Sequence, residues 1–431
     1  MRLSICHTVR ILVNSVLIVV LGILFCWGFS ARLEAAEWYK GAIHQHSFWS
    51  DGNAFPEEVA LQYKEIGFHF VATSDHNRVQ KGERWVPVSK MKKRCRGHYE
   101  EMVAKLQKRF GPDWVRTKGS GDKQMVLLKT FEDIGDKLNE PGKFLYMTGD
   151  ENSQWVGKKG IHINHINLEA HIDVPTFQTY AENGTFQVEA AKRQAKEIGR
   201  PILVQLNHPN YSDYHFSPKD IVEMHGMNFL EVWNMFGGAH VMGDGKRLSC
   251  ERLWDVVNTI RIQAMKQHPF YATATDDCHN FIEKVAHRSQ PGRGFIVVRS
   301  EKLDANSLIK AMRCGDFYAS TGVMLKDVAF DPKTKTLRVE VDPKPDTKYT
   351  IEFIGTRRGV SIPKTDTIND IYSPKIGQIF KKVSGTVGEY HMIGDELYVR
   401  AAIRSDRKQP LACPKPDELQ MEQAFTQPVG F

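Results

Sequence analysis

The sequence lacks a disulfide framework, a repeat and a low-complexity tract, and its charge is close to balanced. Of seven cysteines, Cys6 and Cys26 fall in an apolar N-terminal stretch. That leaves Cys95, Cys250, Cys278, Cys314 and Cys413, an odd number at wide, irregular spacing, so a small disulfide-stapled scaffold is excluded. With no solenoid period, a stacked-repeat architecture is excluded too. The formal charge is +7, from 58 basic and 51 acidic side chains. No basic stripe interleaved with aromatics runs along the chain, so nucleic acid is not indicated as a partner. The densest basic group, Lys90, Lys92, Lys93, Arg94 and Arg96, suits a solvated surface or an anionic substrate. With 41% hydrophobic residues among 431, the chain can bury a full core and has room for one large domain and a smaller one.

One long apolar run is present. Arg2 and Arg10 precede a nearly uncharged stretch over residues 11–29, followed by the small residues Ala31, Ala35 and Ala36. This reads as an export signal, with a cut near Ala35 preferred over retention as a membrane anchor. Phe25 before Cys26 argues against lipid attachment. The expected location is periplasmic or secreted, with the membrane a partner only through an uncleaved N-terminal segment.

From Trp38 the pattern is strand, turn, helix, strand. An apolar stretch over 41–46 meets the turn Ser50-Asp51-Gly52-Asn53, and Pro56-Glu57-Glu58 opens a helix with Val59, Ala60, Tyr63 and Ile66 at helical spacing. Gly67 stops the helix and a strand over 68–73 follows, giving a β-α-β unit. Residues 78–143 are charged and helical in pattern, with amphipathic stretches over 99–110 and 127–138, and read as an insertion. Strands are expected over 144–147, 163–168, 202–206, 229–233 and 270–274, with helices over 185–198 and 248–267. After Gly322 alternating strands over 336–341, 349–354, 378–383 and 396–403, separated by turn residues, predict a small β-sandwich-like domain.

The chemistry gathers at strand ends. His44 and His46, one residue apart on a predicted strand, aim their imidazoles to one face. Asp51 lies in the turn beyond them, and the next strand ends in Ser74-Asp75-His76-Asn77. Glu151, His165, Asn207-His208-Pro209 and Asp277-Cys278-His279 follow or sit in the later strands. Carboxyl ends of strands are where α/β folds build their sites. A lone histidine among 17 means little; an ordered series at successive strand ends is hard to produce by chance.

Residues 38–77, with His44-Gln45-His46-Ser47, Ser50-Asp51-Gly52 and Ser74-Asp75-His76-Asn77, resemble the opening of PHP (polymerase and histidinol phosphatase) domain proteins. The later motifs match that family's ligand motifs in order. Residues 308–322, notably Ala311 through Gly322, are similar to the end of the catalytic domain in the CehA/McbA-type metallohydrolase branch, and the resemblance extends to Ala424-Phe425-Thr426-Gln427-Pro428 in the tail. It implies an α/β fold with a distorted (β/α)7 barrel over 37–322, carrying the insertion and followed by the β-rich 323–431. It implies as metal ligands His44, His46, Asp51, His76, Glu151, His165, His208, Asp277 and His279, with Asp276 and His162 as register alternatives.

A mixed imidazole and carboxylate set favours zinc or manganese, with iron third, over magnesium or calcium. The ligands are too many for one tetrahedral ion, so roughly two or three are expected. Such ions would lower the pKa of a bound water and deliver hydroxide to an electrophilic phosphorus or carbonyl carbon. The expected activity is hydrolysis of a small, anionic phosphate ester, with His208 or His279 protonating the leaving group. A carboxylic ester, carbamate or amide hydrolase is the second reading, and a metal-stabilised binding protein the third. Asp75 is expected to fix His76, Glu231 and Asn234 to orient ligands, and Arg78 is a candidate anion contact. Trp49, Trp155, Tyr211, Tyr214 and Phe216 stand near the motifs and could line a pocket.

Overall fold

A computed structural model describes residues 36–211, 216–243, 247–283, 289–363, 372–409 and 421–431. The apolar N-terminal run and Cys413 lie outside them. Among the described residues no helix is long and apolar enough to cross a membrane, and Cys95, Cys250, Cys278 and Cys314 are free.

The chain first lays down β1 (Glu37–Ala42), α1 (Pro56–Glu65) and β2 (Phe70–Ala72), and β1 and β2 pair in parallel as the β-α-β pattern requires. Pro56 starts α1 because its fixed φ suits the first helical turn, and Gly67 at φ 81 ends it. The insertion holds the helices α2 (Tyr99–Phe110) and α3 (Phe131–Leu138). It also holds a three-stranded sheet (Trp85–Pro87, Met125–Leu127, Thr117–Lys118) that the sequence pattern did not show.

The next strands are β3 (Leu145–Met147), β4 (Gly149–Val156), β5 (Lys159–Ile166), β6 (Leu203–Leu206), β7 (Phe229–Asn234) and β8 (Tyr271–Thr275). The helices α4 (Tyr180–Ile198) and α5 (Cys250–Thr259) are interposed. A capping box between Thr179 and Glu182 starts α4, and Gly199 ends it in the left-handed conformation. Then come β9 (Phe295–Ser300), α6 (Ala305–Arg313) and β10 (Phe317–Ser320).

The β-rich remainder comprises β11 (Met324–Asp331), β12 (Thr336–Asp342), β13 (Tyr349–Arg357), β14 (Gln378–Ser384), β15 (Val387–His391), β16 (Glu396–Lys408) and β17 (Met421–Thr426).

The expected distorted (β/α)7 barrel is not confirmed, because no closed barrel forms among the described residues. Two large sheets do: a nine-stranded one in the order β14-β13-β16-β17-β10-β9-β1-β2-β3, and a five-stranded one in the order β8-β7-β6-β5-β4. Among the described residues no ladder closes them into a barrel. They touch through two isolated parallel bridges, Gln45 to Cys278 and His76 to Glu151. The physical reason is local: β4 and β5 form an antiparallel hairpin where a barrel would need a parallel crossover, and β9 pairs antiparallel with β1. The chain passes from one sheet to the other at Thr148. There Gly149 is required, because a Cβ would lie 2.2 Å from the Thr73 carbonyl oxygen.

Both sheets contribute to one apolar layer, with Ile43, Phe70, Met147, Ile166, Leu203, Phe229, Tyr271 and Ile296 all buried. The polar strand-end residues described below follow this layer along the same strands. The residues after 322 build a three-stranded sheet (β11-β12-β15), while β13, β14, β16 and β17 extend the nine-stranded one. Helix α5 is locked to that extension. Arg400, fully buried on β16, donates to both Asp255 oxygens at 2.8 and 2.6 Å and to Glu251 at 3.0 Å, and its guanidinium lies 4.7 Å from the Trp254 ring centre.

Candidate metal centre

Strand β1 ends at Ala42, two residues before His44, so the His-Gln-His motif is an extended continuation rather than a regular strand. The Gln45 bridge to Cys278 and the bond from His46 N to the Cys278 carbonyl, 2.9 Å, keep that continuation straight. Both imidazoles therefore still face one centre. His76 follows β2, His208 follows β6, and Asp277 and His279 follow β8. Glu151 and His162 come from the inward face of the β4–β5 hairpin.

Four overlapping groups have donor atoms within 4.8 Å of one another: His46, Asp51, His76 and His279; His44, His208 and Asp277; His44, His46 and Glu151; and His76, Glu151 and His162. The carboxylates lie between the rings. Glu151 is 3.1 Å from His44, 2.9 Å from His76, 3.0 Å from His162 and 3.3 Å from His208. Asp277 is 3.1 Å from His46 and 3.3 Å from His44.

His165 is not brought to this centre. It is three residues from His162 on one strand, so the two must point to opposite faces. The register pairs Ser153 with His162 and Asp150 with His165, which places His162 on the Glu151 face. His165 Nδ1 instead lies 3.0 Å from Asp150, whose other oxygen is 2.5 Å from His171. Of the two register alternatives, His162 is therefore the one in the cluster. Asp276 is not: it accepts from Tyr63 and from the backbone N–H groups of Gly292, Arg293 and Gly294.

Asp75 does not hold His76 either. Its oxygens accept from Ser47 N and Oγ, both at 2.8 Å, from Ser50 Oγ at 2.6 Å and from Gln80 at 2.8 Å, so it fixes the loop between His46 and Asp51. His76 Nδ1 is 2.6 Å from Ser153 Oγ. Glu231 and Asn234 do orient the centre. Glu231 accepts from His44 Nδ1 at 2.8 Å and from His208 N at 2.7 Å, and Asn234 donates to Glu231 at 2.8 Å and to Asp277 at 3.2 Å.

Burial disfavours charge here, but the neighbours decide the outcome. Burial, then the His279 and His76 imidazoles, push His46 down to about 4, leaving it neutral, with the lone pair of one ring nitrogen free, at neutral pH. Against burial, Asp51 and then Asp277 raise His279 to about 9. Against burial again, His162, His44 and His76 hold Glu151 well below the usual carboxylate range, and His44, His46 and His279 do the same for Asp277. Asp277 also adopts φ 46, a left-handed conformation that costs a non-glycine residue energy and that clusters at functional sites.

The donor set fits divalent cations. His44 Nε2 and Glu151 Oε2 are shut off from solvent and have no hydrogen-bond partner in the structure, although each faces oppositely charged groups. Such orphaned atoms are rare unless something else binds them. His44, with one nitrogen held by Glu231 and the other facing the cluster, has the arrangement of a metal-ligating imidazole backed by a carboxylate. Glu231→Gln is accordingly expected to weaken zinc or manganese affinity by about 10- to 100-fold, read by competition with a chromogenic chelator. Unchanged affinity would remove Glu231 from the centre.

A cleft of about 500 Å³ opens beside the cluster, lined by Asp51, His279, Arg94, Phe236 and Asn280 among others. Of the aromatics expected near the site, Tyr211 packs 5.3 Å from the His208 ring, while Trp49 and Phe216 are buried and Trp155 is exposed. Tyr214 lies outside the described residues.

No family model matches the chain, and no curated protein matches it. Among solved structures it has a likeness to a two-domain protein from Bacteroides vulgatus containing a predicted PHP-like metal-dependent phosphoesterase, at 14% identity over 91% of this chain and 96% of that one, with a TM-score of 0.38. A Bifidobacterium adolescentis protein, assigned by name to the metal-dependent phosphoesterases, gives 14% over 63% and 95%, with a TM-score of 0.30. An amidohydrolase from Chromobacterium violaceum gives 13% over 56% and 87%, with a TM-score of 0.27. Likenesses this low decide neither fold nor chemistry, which rest on the residues above.

Proposed function

We propose that the chain is an exported, metal-dependent hydrolase of phosphate esters, of the PHP type that the strand-end motifs resemble. One observation carries this reading: four strand ends and one hairpin, far apart in sequence, deliver six imidazoles and three carboxylates into overlapping groups whose donor atoms lie within 4.8 Å. His44, His208 and Asp277 would hold one ion, His46, Asp51, His76 and His279 a second, and Glu151 and His162 would complete a third position with His76. Divalent ions bound there supply Lewis acidity, making hydroxide available at neutral pH and offsetting charge on the reacting group.

The chain's own groups do the rest. Glu231 holds His44, Asn234 holds Asp277, and Asp75 holds the loop that places Asp51. His279 borders the cleft, its Nδ1 tied to the Asp277 carbonyl at 3.0 Å and its Nε2 3.4 Å from Asp51. In the form in which His46, Asp51 and His76 alone hold the second ion and His279 Nε2 keeps its proton, His279 is the better placed of the two expected proton donors, since that proton can pass to a leaving oxygen in the cleft; His208 is 3% exposed and deeper. Arg94 in the cleft wall supports an anionic substrate. The apolar run over 11–29 supports export.

The test is metal content by elemental mass spectrometry on the chain from residue 37, with hydrolysis of p-nitrophenyl phosphate and p-nitrophenyl acetate before and after chelation. The expected result is roughly two or more bound ions and chelator-sensitive turnover of the phosphate. Preference for the acetate would favour a carboxylic ester, carbamate or amide hydrolase at the same site. A chain that neither holds zinc or manganese nor turns over either ester is a binding protein instead.

A further inference from the structure

The insertion brings three arginines to the two loops that carry Asp51 and His76. Arg78 stands two residues beyond His76 and is exposed. Arg84 lies with its guanidinium 5.7 Å from the ring of Trp49, in the loop between His46 and Asp51. Arg94 donates to the Ser50 carbonyl, next to Asp51, and lines the 500 Å³ cleft with Asp51 and His279.

None of the three has a carboxylate within ion-pair distance among the described residues. Arg84 Nε is shielded from solvent without a hydrogen-bond partner. Burial, then the charges of Arg78 and Arg94, work against the Arg84 cation, with Asp75 the one carboxylate that favours it. Arg78 and Arg84 line a second cleft of about 390 Å³ together with Trp49, Lys81, Glu83 and Glu169, and there Glu169 is already paired with Lys81 and Arg200. By contrast, Lys92 and Arg96, from the same basic run, are paired with Glu100 and Glu283. A partly buried guanidinium that faces two like charges against one carboxylate, as Arg84 does, is stabilised when a further anion joins it.

We propose that Arg78, Arg84 and Arg94 form an anion-binding wall beside the metal centre, and that the preferred substrate is a small phosphate ester carrying a second anionic group, which this wall holds. This rests on the hydrolase reading above. It assigns the insertion a role in choosing the substrate, separate from the bond cleavage.

The experiment measures phosphate release by the metal-loaded chain from short alkanediol bisphosphates, ω-carboxyalkyl phosphates and the matching alkyl monophosphates. The doubly charged esters are expected to have kcat/KM higher by roughly fivefold or more, a preference that fades as salt is raised. The two doubly charged series show whether phosphate or carboxylate is the better second group. Arg78→Gln, exposed and safe for folding, and Arg84→Gln are expected to bring the ratio of doubly to singly charged substrate towards one through KM, with Arg84→Lys keeping part of it. A wild-type ratio near one, or a ratio the variants leave untouched, overturns the wall while leaving the hydrolase in place. Failure to hydrolyse any of the esters with metal supplied overturns both.

Discussion

Glu151→Gln is expected to lower hydrolysis by more than roughly a hundredfold and to reduce bound metal below the wild-type complement. The carboxylate faces His44, His76, His162 and His208 within 3.3 Å of each. An amide there keeps the shape and loses the charge that balances those rings. The two histidines of β5 sharpen the test. His162→Asn should lose metal affinity, whereas His165→Asn, on the opposite face against Asp150, should keep metal and turnover and change only stability. If the two variants exchange these behaviours, the register of the hairpin is wrong and so is the site. Full metal content and full turnover in Glu151→Gln would remove the cluster from the chemistry altogether.

Asp255→Ala is expected to destabilise the protein by about 3–5 kcal/mol, measured by urea unfolding. The cost is not the lost attraction but what remains: Arg400 is about 1% exposed and would keep only Glu251, at 3.0 Å, as a charged partner. Tyr398, which donates to Asp255 at 2.7 Å, would lose that acceptor as well. Replacing both members, as in Asp255→Leu with Arg400→Met, should recover much of the loss, because two apolar side chains leave no unpaired charge. A single variant within about 1 kcal/mol of wild type would show that the buried pair does not hold α5 to the sheet.

Much of the site was legible because its residues are read locally. His44, His46, Asp51, His76, His208, Asp277 and His279 each follow an apolar run that does become a strand, and strand ends point where the sheet sends them. What was not legible depends on pairing between distant segments. Choosing His162 over His165 requires the register against Glu151, set by a hairpin whose first strand, Gly149–Val156, carries too little alternation to announce itself. Asp75 sits beside His76 in sequence, which points to that ring, but the fold turns it towards Ser47 and Ser50 across the neighbouring strand. The basic run 90–96 was visible, but which of its charges are already paired is a matter of tertiary contact. Barrel closure was not legible for the same reason, since strand type is local and strand order is not.

The position of β17 has a consequence for how the protein comes into being. It lies between β10 and β16, pairing with Tyr318–Ser320 on one side and with Ala402–Arg404 on the other, although about a hundred residues separate it from the first. During synthesis β10 must therefore wait as an open edge until residue 426 has left the ribosome, and an open edge is a template for pairing with other chains. Assembly of the half that carries the histidines cannot finish ahead of the tail. Long-range closure of this kind makes folding slow and prolongs the interval in which that edge is exposed.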